Sequence, residues 1–114
     1  MDVVKNRAEL VNEAAFNMGV LSTGQVLDSA DAARIDLSID PMLLQLSQDR
    51  IIDILDTAAI PSEFFFSLSV LLANAAGPGF GIPFSKDVKD MHEAYLKRSA
   101  STGASYDTLP LPYF

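Results

Sequence analysis

The chain has 114 residues, of which 49% are hydrophobic, and carries a formal charge of −7 from eight basic and fifteen acidic side chains. That length points to one domain with a modest core. The few dispersed cations exclude a surface that grips nucleic acid. The absence of cysteine excludes disulfides, thiolate metal sites and cysteine nucleophiles. Asp2, Lys5, Arg7 and Glu9 stand where the apolar stretch of a secretion leader would lie, so no leader is expected.

Asn6 with Glu9 three positions on has the form of a capping box and opens a first helix. Leu10, Val11, Ala14, Ala15 and Met18 then recur at helical spacing, and Gly19 supplies a left-handed stop. Val20 to Leu27 contains Ser22, Thr23 and Gly24 and reads as a loop pinned by Val20, Leu21 and Val26. Asp28 and Ser29 offer the next cap, for a long helix from about Ala30 to Asp49. Pro41 sits inside it and either kinks the helix or divides it, with Asp40 as the second cap. Ile35, Ile39, Met42 and Leu46 keep one stripe in phase across Pro41, and Ala33, Leu37 and Leu44 keep another, which favours the kink.

From Arg50 to Ile60 the helical stripe is lost, and an extended segment or short strand is expected. Pro61 to Ala76, PSEFFFSLSVLLANAA, is the most apolar stretch, with no charge between Glu63 and Lys86. It is interrupted by Asn74, Gly77, Pro78 and Gly79 before the ~20 residues a membrane span needs, and it lacks the alternation of a strand. A core helix opened by Pro61 fits best. On it Glu63, Ser67, Val70 and Asn74 form one narrow mixed face, and Phe66 is the odd ring that points toward another element or subunit. GPGFGIPF, Gly77 to Phe84, stops that helix. Ser85 caps a last one, with Asp87 and Asp90 near its start, Lys97 and Arg98 near its end, and Val88, Met91, Ala94 and Tyr95 inward.

The expected fold is therefore all-α: a small bundle of about four helices around a central apolar helix (61–76). Residues 1–98 form the domain and 99–114 an extended C-terminal arm. The expected core comprises Leu10, Ala14, Met18, Leu37, Leu44, Phe64, Phe65, Leu68, Leu71, Leu72, Met91 and Tyr95.

Chemistry-bearing patterns are sparse. His92 is the only histidine and has no nucleophile or second ligand at helical spacing. The pairs Asp28/Asp31, Asp53/Asp56 and Asp87/Asp90 lack the dense ligand loop of a calcium site. Gly77, Gly79 and Gly81 close a helix, whereas a phosphate loop opens one. No catalytic, cofactor-binding or metal residue is expected, and the chain does not read as an enzyme. The tail is more informative. Tyr106, Leu109, Pro110, Leu111, Pro112, Tyr113 and Phe114 place apolar and aromatic groups on a proline-stiffened arm, and sixteen extended residues reach ~50 Å. Such an arm suits docking into a partner's groove.

Three stretches carry a likeness: ELVNEAAFNMGVL (Glu9–Leu21), SADAARIDLSIDPMLLQL (Ser29–Leu46) and AIPSEFFFSLSVLLANAAGPGFG (Ala59–Gly81). In their order and turn residues they resemble the head-tail adaptor, or head-completion connector, proteins of tailed bacteriophages. The resemblance covers roughly residues 8–98 and rests on packing patterns without a catalytic signature; GPGFGIPF and the triple Phe depart from it. It implies a virion structural protein forming a ring, expected as a dodecamer, beneath the portal. That ring extends the DNA channel, passes near DNA without sequence-specific binding and receives the tail or a head-closure protein, and the C-terminal arm docks on the portal. Assembly in the host cytoplasm and a place at the head–tail interface follow, without cofactor or membrane. The competing expectation is a small membrane-active, lysis-type protein built on Phe64 to Phe84.

Overall fold

A computed structural model describes residues 4–54 and 56–108, with side chains as far as Ser101. In chain order the elements are β1 (Val4–Lys5), α1 (Arg7–Met18), α2 (Ser29–Asp36), α3 (Ile39–Gln48), β2 (Ile60–Pro61), α4 (Ser62–Ala76), a 3₁₀ turn (Gly77–Phe80) and α5 (Lys86–Thr108). The protein is all-α apart from the β1–β2 pair, and α4 is the axis on which α1, α2, α3 and α5 all pack.

α1 is delimited locally. Glu9 donates its amide to the Asn6 side chain at 2.9 Å, and Asn6 donates its own amide to Glu9 Oε1 at 2.9 Å. Two amides that the helix leaves without partners are thereby satisfied. At the other end Gly19 adopts φ 78°, and Val20 and Gly19 donate to the carbonyls of Ala15 and Phe16, each at 3.0 Å. In the loop that follows, Leu21 is buried, but Val26 is 94% exposed and pins nothing. Leu27 packs on the core in its place.

The single kinked helix expected over 30–49 is two helices. Asp28 caps α2, accepting from the Ala30 amide at 3.1 Å. The break falls at Leu37–Ser38, four residues before Pro41. A proline has no N–H to offer the carbonyl four residues back, and its ring crowds that carbonyl. The interruption therefore appears upstream of the proline that causes it. Ser38, rather than Asp40, precedes α3, and Pro41 lies in its first turn, where the missing amide is harmless.

The stripe Ile35, Ile39, Met42 and Leu46 is buried across both helices. The second stripe is not: Leu37, at the break, is 76% exposed and Leu44 59%, so neither belongs to the core, and Leu43 is buried instead. Arg7 braces the junction, donating from Nε to Asp36 at 2.6 Å and from Nη1 to Asp40 at 2.9 Å. These bonds hold the guanidinium above its ordinary pKa, and the bond from Arg7 holds Asp40 below the usual carboxylate range.

The expected extended segment ends as β2, paired antiparallel with β1 through Val4–Pro61 and Lys5–Ile60. Pro61 is thus the residue before α4, not its first. Leu68 and Leu72 are fully buried, with Leu71, Ala73 and Ala76 close behind, while Phe64 and Phe65 are half-buried. Each large side chain so buried contributes ~1.5–3 kcal/mol. The left-handed turn after α4 falls at Gly81 (φ 81°), not at Gly77, which is still helical.

α5 departs most from expectation. Ser85 Oγ accepts from the Val88 amide at 3.2 Å and starts it. The helix then continues to Thr108, so Lys97 and Arg98 lie mid-helix. The stretch from Ser99 to Thr108, expected as the root of an extended arm, is helical. The small residues between Ser99 and Ser105 permit helix, and the first proline able to forbid it is Pro110. Leu109–Phe114 lie outside the described residues. The inward face is also turned. Leu96 is fully buried with His92 and Ala100 beside it, whereas Met91 (60%) and Tyr95 (45%) are exposed and are not core. Among the described residues no helix is long and apolar enough to cross a membrane.

Candidate functional site

The most distinctive local chemistry lies along the α4–α5 seam. On the mixed face of α4, Glu63 is exposed, but Ser67 and Asn74 meet α5 and the residue that starts it. Ser67 is 1% exposed, and its Oγ shares a hydrogen bond with His92 Nδ1 at 3.1 Å. Two turns later Asn74 makes a pair of hydrogen bonds to the backbone of Ser85, accepting from its amide and donating to its carbonyl, both at 2.8 Å. These contacts run in opposite order along the two helices, so α4 and α5 are antiparallel. The small side chain of Ser67 lets α5 approach, whereas Ser69 turns to α1, donating to the Phe66 carbonyl and accepting from Asn17. Every buried side-chain polar atom among the described residues has a partner.

Two grooves flank this seam. The first, of about 420 Å³, is formed by Glu63, Phe66 and Ser67 on α4 and Met91, His92, Tyr95 and Arg98 on α5. Phe66 is 62% exposed and meets the His92 ring edge-on at 5.9 Å. The Arg98 guanidinium lies 5.9 Å from the Tyr95 ring centre, within the range of a cation–π contact. The walls are therefore aromatic and thioether, with charge confined to Glu63 and Arg98.

The second groove, about 300 Å³, lies on the other flank of α5, among Leu37, Pro41, Met42, Leu71, Phe84 and the Lys89–Glu93 pair. Lys89 donates to Glu93 at 2.8 Å, and that bond raises the ammonium pKa against the opposing effect of burial. The apolar residues misassigned to the core, Leu37 on one side and Met91 and Tyr95 on the other, are the residues that give these grooves their character.

Ser67 is all but buried at the floor of the first groove, and the partner of its hydroxyl is His92. The paired acids are spent locally: Asp28 caps α2, Asp56 Oδ1 accepts from the Ala58 amide at 2.9 Å, and Asp90 pairs with Lys86 at 2.8 Å. No group of three or more potential metal ligands occurs among the described residues. Of the expected docking arm, Tyr106 lies on α5, and Leu109, Pro110, Leu111, Pro112, Tyr113 and Phe114 lie outside the described residues.

Sequence reasoning identified Phe66 as the outward ring and missed its companions. The spacing of Met91, Tyr95 and Arg98, at i, i+4 and i+7, was the available signal. The sequence places Met91 and Tyr95 inward with Val88 and Ala94, and Arg98 at the helix end. No family model, curated protein or solved structure matches the chain.

Proposed function

We propose that the chain is a virion structural subunit of a tailed bacteriophage, a head-tail adaptor that forms a ring beneath the portal, extends the DNA channel and receives the tail. The observation that carries this reading is the pair of unlike apolar grooves on the two flanks of the α4–α5 seam. Closing a ring requires two different patches on each subunit, each meeting the other's counterpart on the next copy. A two-fold dimer needs only one. The stretches Glu9–Leu21, Ser29–Leu46 and Ala59–Gly81 supply the virion context. The acid surplus suits a lumen that lets a duplex slide without holding it, and Asp49, Asp53 and Asp56 stand exposed in the segment between α3 and β2.

Two measurements test the proposal. Native mass spectrometry and negative-stain microscopy of the purified chain, with portal protein present, should show a closed ring on the portal axis. Disrupting the gene in the parent phage should leave DNA-filled heads without tails. A chain that stays monomeric beside the portal, in a phage whose disrupted mutant still makes tailed particles, overturns it.

A further inference from the structure

We propose that the groove between Phe66 and Tyr95 receives the Leu109–Phe114 segment of a second copy of this chain. The match is chemical. LPLPYF has six apolar or aromatic residues and no charged side chain, and its two prolines fix φ near the polyproline II value. Proline-rich extended segments are recognised by grooves with aromatic walls, because the pyrrolidine rings lie flat on aromatic faces and little ordering entropy remains to be lost. The groove offers Phe66, His92 and Tyr95 as such walls and Met91 as an adaptable filler. The second groove is a poorer match: it holds one aromatic, Phe84, and is bordered by the Lys89–Glu93 ion pair.

Geometry decides which copy supplies the segment. Thr108 lies seventeen residues beyond Met91 on α5, or ~25 Å along the axis at 1.5 Å per residue. Leu111 is three residues past Thr108 and reaches back ~10 Å when fully extended. Even Phe114 reaches only ~20 Å, with nothing allowed for reversing direction. The Leu109–Phe114 segment therefore cannot lie along the groove of its own chain, whereas a neighbour's segment can. This assigns the segment to an adjacent copy and not to the portal, and it needs no virion context: it can stand if the adaptor reading fails, and fail if that reading stands.

The natural lack of cysteine makes the test direct. Full-length Met91→Cys and Leu111→Cys chains are mixed and oxidised, and the mixed disulfide is quantified by mass spectrometry. It should exceed that from Val26→Cys with Leu111→Cys by about tenfold, as expected for a docked over a merely colliding segment. Val26 is more exposed than Met91 and lies in the loop between α1 and α2. Adding Tyr95→Ala or Pro110→Ala to the linked pair should return the yield to that of the Val26 control. Tyr95 is 45% exposed, and circular dichroism of each variant should show that folding persists. Equal yields at Met91 and Val26 overturn the proposal and leave the segment for a different partner. An intramolecular link in a dilute chain carrying both Met91→Cys and Leu111→Cys also overturns it, by placing the segment in its own groove.

Discussion

α4 and α5 lie side by side along one seam, yet they are held by different means. α4 is enclosed along most of its length: Leu68 and Leu72 are fully buried, Ser67 is bonded to α5, and Glu63 and Phe66 near its start are the parts left open. α5 is attached along one line, with Leu96 sunk and Met91 and Tyr95 open on its flank. A helix that is apolar almost all round needs no orientation to be placed, because every rotation buries it. A helix with half an apolar surface has at least two rotations available, and its neighbours choose. The first kind of helix can be located from its sequence, and the second kind presents the surfaces at which a partner is met.

Substitutions can break or sharpen this contrast, beginning with the most damaging. Leu68→Asp puts an unpaired carboxylate at the centre of the enclosed helix. The cost of several kcal/mol is comparable with a small domain's whole stability, and loss of the far-ultraviolet helical signal should follow. Leu96→Ala should cost ~2–5 kcal/mol, read as a lower urea midpoint; a value near zero would mean that α5 is not seated on α4. Asn74→Ala removes two hydrogen bonds and leaves the Ser85 amide without its partner, while the Ser85 carbonyl keeps the Lys89 amide at 3.2 Å, for ~1–3 kcal/mol. Met91→Ala should change stability by no more than ~0.5 kcal/mol, as expected of a surface position, and a larger loss would return Met91 to the core.

The mildest test uses pH. The hydrogen bond to Glu93 raises the Lys89 pKa. The stabilisation this provides is complete below lysine's ordinary value of ~10.4 and is lost as pH rises through the raised one. The difference in urea midpoint between the parent and Lys89→Met should therefore shrink above about pH 10. A difference independent of pH would show that Lys89 acts only through its aliphatic stem.

Features with short-range causes were legible in the sequence. The Asn6–Glu9 box, the Gly19 stop, the Asp28 cap and the apolar 61–76 stretch each depend on residues a few positions apart. Long-range causes were not. Pro41 interrupts the chain at Leu37, so a stripe in phase across the proline said nothing of a break before it. Ser67 and Asn74 read as a weakly polar strip because their partners, His92 and the Ser85 backbone, lie 25 and 11 residues away. The inward face of α5 was misread for the same reason. Val88, Met91 and Tyr95 make a plausible stripe until α4 presents a serine that accommodates His92 and draws Leu96 inward. Arg50 gave no signal at all. It takes the left-handed turn (φ 59°) that closes α3, a position where glycine is usual, while Ile51 donates to the Leu46 carbonyl at 2.9 Å.

The Asn74–Ser85 clamp has a consequence for how this architecture varies. With one amide side chain gripping both backbone groups of Ser85, the start of α5 is anchored to α4 directly, and the residues between Gly77 and Phe84 form a closed detour. Lengthening such a detour adds only loop-closure entropy, ~0.6 kcal/mol for each doubling. Residues inserted into the segment should therefore leave the helices on either side in their positions, provided Phe80 keeps its place against the core.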